Sequence, residues 1–147
     1  MPDGWSTEPV EVDEAYGIKT VSFFSPSTEL GIMVHYIAGA SSADYVGQEE
    51  VNAKAAADAL GYSYYWISDT SGWSTLSDYD AYNYFIIISE DEYAETSFCY
   101  DSYVIDADGG AYVVQIVRVT GTDSEYTEEY DNAMSDAYMS AVCFQLP

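Results

Sequence analysis

Apolar and polar positions alternate most densely between Tyr82 and Thr120, where three strands are expected: 82–89 (YNYFIIIS), 96–106 (TSFCYDSYVID) and 111–120 (AYVVQIVRVT). Tyr, Phe, Ile, Val and Thr dominate these stretches, the side chains that suit a pleated, half-buried surface. Asp106-Ala107-Asp108-Gly109-Gly110 reads as a five-residue hairpin turn between the last two, with glycine supplying positive φ. The same letters begin like a calcium loop. Val117, however, stands where such a loop needs its bidentate glutamate.

Upstream, Ile18 to Phe24 alternates well enough for a first strand and Gly31 to Ile37 for a second. In the second, Ile32, Val34 and Tyr36 point one way and Met33, His35 and Ile37 the other, which predicts a position inside the sheet. A helix is expected over Val46 to Leu60, with Val51, Ala55 and Ala59, flanked by Ala56 and Leu60, as its buried stripe and Gly61 as its stop. Tyr62 to Ser68 is the next strand, followed by a polar loop from Asp69. The C-terminal helix carries Tyr126, Tyr130, Ala133, Met134, Ala137, Tyr138 and Ala141 at three- and four-residue intervals. Thr122 to Glu125 matches a capping box for it. Val142 to Leu146 can add a short final edge strand.

These elements predict an α+β fold, an antiparallel meander covered by two main helices. Residues 1–16, polar and acidic with Pro2 and Pro9, read as an arm, and 17–147 as a single domain. Gly-Trp-Ser-Thr occurs at 4–7 and again at 72–75, but the copies are short and their spacings differ, so similar turn chemistry explains them better than duplication.

Charge narrows the partners. Twenty-six Asp and Glu stand against three Lys and Arg, a formal net charge of −23. Nucleic acid and anionic membrane surfaces are not expected as direct partners, because phosphate neutralisation needs clustered cations. No run is long enough for a transmembrane helix. No signal segment is visible, although a leader or lipid tether upstream of this sequence fits the polar arm.

Catalytic chemistry is poorly served. His35 is the single histidine and has apolar neighbours on its strand, so a packed or hydrogen-bonded structural role is expected of it. No GxSxG turn supplies a nucleophile, and one His with two distant Cys makes no zinc site, so neither catalytic residues, nor metal, nor cofactor is expected. Tyr64, Trp66, Trp73 and Tyr79, interleaved with Asp69, Asp78 and Asp80, are the candidate ligand-binding residues, as a stacking platform for sugars or another ligand. Cys99 and Cys143 form a disulfide if the chain is secreted and their strands are neighbours, or stay as buried thiols in the cytosol.

Two opening strands, a helix, a meander ending in YVVQIV, and a helix running into a strand (MSDAYMSAVCFQ) together resemble the PsbP-like fold over about residues 18–146. Extrinsic photosystem subunits, a Ran-binding nuclear protein and many bacterial lipoprotein domains share that fold. The resemblance implies an antiparallel sheet sandwiched by helices and a binding or assembly role without catalysis. No functional residue carries across. The leading expectation is a non-enzymatic extracytoplasmic domain of a bacterial cell-surface or secreted lipoprotein that binds a protein or small ligand. A cytosolic acidic partner of a basic protein, DNA mimicry included, and a carbohydrate-binding module are the alternatives.

Overall fold

The computed structural model describes residues 2–26 and 28–147. One antiparallel sheet organises the chain. Its strands are β1 (Ser6–Thr7), β2 (Glu11–Asp13), β3 (Ile18–Phe24), β4 (Leu30–Ala38), β5 (Tyr64–Ile67), β6 (Gly72–Leu76), β7 (Tyr79–Ser89), β8 (Ser97–Ala107) and β9 (Gly110–Thr120). The spatial order is β1-β3-β4-β9-β8-β7-β5, with β2 beside β1 on β3 and β6 beside β5 on β7. Two helices, α1 (Glu49–Leu60) and α2 (Glu128–Val142), cover opposite faces.

The long strands lie where the alternation placed them, and β4 sits inside the sheet between β3 and β9. Period-two alternation sorts their side chains into two cores. On the α2 side Ile32, Ile105, Val114 and Ile116 pack against Tyr130, Ala133, Ala137 and Ala141. On the α1 side Tyr82, Tyr84, Ile86, Val104 and Val113 pack with Ala53.

Several elements differ from the sequence-based expectation. The stripe buried by α1 is Ala53 and Ala57, while Val51, Ala55, Ala59 and Leu60 face solvent. Alanine occurs on every side of that helix, so apolar periodicity alone does not choose a face; contacts of Glu49 with Tyr82 and of Glu50 with Tyr65 do. Gly61, at φ 72°, ends it as expected. Helix α2 starts later than the capping box at 122–125 implied. Thr127 is the cap, its Oγ1 accepting the Tyr130 N–H at 3.2 Å, and Tyr126 is left 85% exposed.

The expected final strand is absent among the described residues: after Val142 the chain leaves the helix and runs on irregularly. The polar loop from Asp69 is followed by a strand that alternation did not show, β6, which closes onto β7 through Ser77 at φ 55°. The N-terminal residues are not free of the sheet either. β1 and β2 pair with β3, and Trp5, 8% exposed, joins the α2-side core. The β8–β9 turn is tighter than five residues, because Ala107 already pairs with Gly110, leaving Asp108 and Gly109 (φ 76°) to turn the chain.

Candidate functional site

An open groove runs over the α2 side of the sheet, past the C-terminal end of that helix. Tyr36 of β4 and Tyr112 of β9 stand directly opposite each other in register and form its floor. Their ring centroids are 5.1 Å apart with planes tilted by 51°, a cross-strand aromatic pair. Beyond α2 the chain turns back over the sheet. The Phe144 ring comes to lie 5.8 Å from Tyr112 and 6.4 Å from Tyr79, and the Leu146 N–H donates to the Tyr79 hydroxyl at 3.1 Å. The largest part of the groove, about 680 Å³, is lined by Tyr36, Tyr112, the β8–β9 turn from Asp106 to Asp108, and Leu146 and Pro147.

Two apolar extensions adjoin it. One, about 300 Å³, shares Tyr36 and Tyr112 and reaches Val10, Lys19 and Val21. The other, about 210 Å³, connects through Val34 and lies between Phe23, Ile32 and the end of α2 at Cys143 and Phe144. Such a concave, mainly apolar surface with few polar groups is the usual form of a ligand site.

Glycine makes the floor possible. A Cβ on Gly110 would stand 2.3 Å from the Ile37 carbonyl oxygen and 3.0 Å from the Tyr36 ring, so only the bare backbone lets that ring lie on the turn. The Tyr36 hydroxyl then donates to the Asp108 carbonyl at 3.3 Å. Asp106 is occupied elsewhere: its carboxylate accepts the Ser42 N–H at 2.6 Å and the Ser42 hydroxyl at 2.8 Å. The Asp108 carboxylate, exposed at the rim, has no side-chain partner among the described residues.

The opposite face carries a different arrangement. Thr20, His35, Gln115 and Ser102 form a hydrogen-bonded chain across β3, β4, β9 and β8, with links of 2.8, 2.9 and 2.9 Å. It is satisfied throughout when Thr20 donates to Nδ1 of His35, Nε2–H of His35 donates to Gln115 Oε1, and the Gln115 amide donates to Ser102. Burial holds the His35 pKa below its ordinary 6.5, partly offset by the Gln115 bond. With both ring nitrogens engaged, this histidine has the structural role that its apolar neighbours suggested.

The four aromatic residues expected to bind ligand do not come together. Tyr64 and Trp66 project to the α2 side, where Trp66 meets Phe85 edge-on at 6.5 Å. Trp73 projects to the α1 side against Tyr82 at 5.6 Å. On β7 the partners of Trp66 and Trp73 are Ile87 and Tyr82, an odd and an even position, and successive strand residues face opposite ways. Of the four, Tyr79 alone belongs to the groove's aromatic cluster. Sequence reasoning missed Tyr36, Tyr112 and Phe144 because 76 residues separate the first two and only the β4–β9 register makes them neighbours.

Of the two alternatives for the cysteines, the structure has both free rather than bridged, with Cys99 buried as expected of a thiol and Cys143 exposed. Cys99 lies on β8 beside Arg118, whose surroundings include Tyr130 in the first turns of α2, whereas Cys143 ends that helix. Thirteen residues at about 1.5 Å each separate those ends of α2, far beyond the roughly 7 Å that a disulfide spans. Burial pushes the Cys99 thiol up, and nearby Arg118 only partly offsets this. Among the described residues no group of three or more His, Cys, Asp or Glu could hold a metal ion. No helix among them is long and apolar enough to cross a membrane.

Comparison with known proteins adds little. No protein-family profile matches the chain, and no curated protein matches it in sequence. Among solved structures it is similar to LpqN, described as involved in cell envelope biogenesis of Mycobacterium tuberculosis. That likeness has a TM-score of 0.48 and 16% identity, over 96% of this chain and 76% of the other. At that level it carries no argument about family or activity.

Proposed function

We propose that this protein is a non-catalytic binding domain that works outside the cytoplasm, at a bacterial cell surface or as a secreted protein, and that the α2-side groove receives its ligand. The observation that carries the reading is the groove itself: paired Tyr36 and Tyr112, the returning Phe144, and apolar extensions on both sides. A binding role also fits the chemistry of the polar side chains. The only imidazole is tied into a structural ladder, and the buried thiol is held protonated. The order of elements, two strands, helix, meander and helix, supports a PsbP-like domain as the architectural setting.

Chemical-shift mapping with a panel of small apolar and aromatic compounds tests the site. Shifts are expected to cluster at Tyr36, Tyr112 and Phe144; clustering on the α1 side of the sheet instead would overturn the assignment. Fractionation of the native host tests location, and recovery with the cytosol would end the extracytoplasmic half of the reading. The net charge of −23 favours a second reading, a cytosolic partner for a basic protein. Such a complex weakens steeply as salt rises, so a salt-insensitive complex counts against it.

A further inference from the structure

We propose that the largest part of the groove is a site for an organic cation, an alkylated or quaternary ammonium group held against the rings of Tyr36 and Tyr112 and faced by the Asp108 carboxylate. This rests on the groove being the ligand site and adds the chemical class of the ligand. The two rings do not form a flat shelf. The planes of Tyr36 and Tyr112 are tilted by 51° with centroids 5.1 Å apart, and both rings line the 680 Å³ space. Rings set at an angle beside a common volume can offer their negative π faces to one occupant, the arrangement that recognises ammonium groups bearing methyl or alkyl substituents.

Charge selects the same class. Among the described residues no cationic side chain lines this space, while Asp106 and Asp108 do. Asp106 already holds Ser42, which leaves Asp108 to face a ligand. An anionic ligand would meet the field of a molecule of net charge −23, whereas a cation is drawn in by that field. Lys19 belongs to the adjoining extension beside Tyr36. A hard metal ion fits poorly, since calcium takes six to eight oxygen ligands and the walls here are mostly rings and aliphatic carbon. The extensions beyond Tyr36 and Val34 offer apolar surface along which an alkyl chain attached to the ammonium group lies.

Titration of the full chain by calorimetry and NMR, with choline, decyltrimethylammonium below its micelle concentration, and 3,3-dimethylbutanol as the uncharged isostere of choline, tests the inference. Choline is expected to bind about tenfold more tightly than the isostere, within the range of a partly desolvated cation–π contact. Decyltrimethylammonium is expected to bind more tightly than choline because its chain buries apolar surface. Tyr112→Leu keeps apolar bulk and removes the ring, and should weaken choline about tenfold.

Asp108→Asn changes one exposed rim atom, leaves the fold intact, and should weaken choline several-fold with a shallower salt dependence. Lys19→Gln should strengthen it about twofold at low salt. Equal affinity for choline and its isostere, with shifts still at Tyr36 and Tyr112, would overturn the cation while leaving the groove as an apolar site. Shifts from none of the three probes at these rings would remove the groove reading itself.

Discussion

Tyr138 offers the sharpest test of how α2 is held to the sheet. Its hydroxyl donates to Asp101 Oδ2 at 2.9 Å, the Tyr103 hydroxyl reaches the same oxygen at 3.3 Å, and the Asn83 side-chain amide donates to Oδ1 at 2.9 Å. One carboxylate of β8 therefore gathers two strands and the helix. Burial and the Asp101 charge push the Tyr138 phenol well up, and that of Tyr103 up to about 12, so both remain donors throughout the working pH range. A hydrogen bond to a charged group contributes about 1.5–3 kcal/mol when well shielded. Asp101 and Tyr138 are only half-buried, so water replaces part of the bond and about 1–1.5 kcal/mol is the reasonable expectation.

Tyr138→Phe keeps the ring and removes the donor. In a domain of this size it should lower the melting temperature by about 2–6 °C. Asp101→Ala should cost more, about 2–3 kcal/mol, because it strands three donors at once. Urea unfolding of the two single variants and the double variant should give a coupling near 1 kcal/mol. Coupling below about 0.3 kcal/mol, with Tyr138→Phe neutral, would refute the claim that this bond ties the helix down, and would leave α2 held by the alanine and Tyr130 packing alone.

Because the fold favours neutral His35, its contribution is present above the ordinary pKa of 6.5 and is lost as pH falls below it. Urea midpoints of the wild type should therefore decline relative to His35→Gln between pH 7 and 5, and parallel profiles would remove His35 from the acid response. Gly110→Ala drives a Cβ into the Ile37 carbonyl and the Tyr36 ring and should cost about 1–3 kcal/mol in denaturant unfolding; an unchanged midpoint would contradict the close approach. Titration with Ellman's reagent should find one reactive thiol in the native protein, Cys143, and two after denaturation, and a protein with none in denaturant would contradict the free cysteines.

Much of the architecture is legible in the amino-acid order. Alternation over 82–120 identifies the three long strands because each has one face on either core, and both apolar faces of β4 announce a central position. The three- and four-residue spacing of Tyr130, Ala133, Ala137 and Ala141 marks the buried side of α2 for the same reason. These are local patterns, written in residues that lie close along the chain. Tertiary structure decides whatever depends on register and on competing small residues. It turns α1 onto Ala53 and Ala57 when alanines offer several faces, and it sends Trp66 and Trp73 to opposite sides of the sheet. It also keeps Cys99 and Cys143 a helix length apart and sets Tyr36 against Tyr112. The groove exists because β4 and β9 pair in one register, and a slip of a single residue would turn one ring of that pair to the far face.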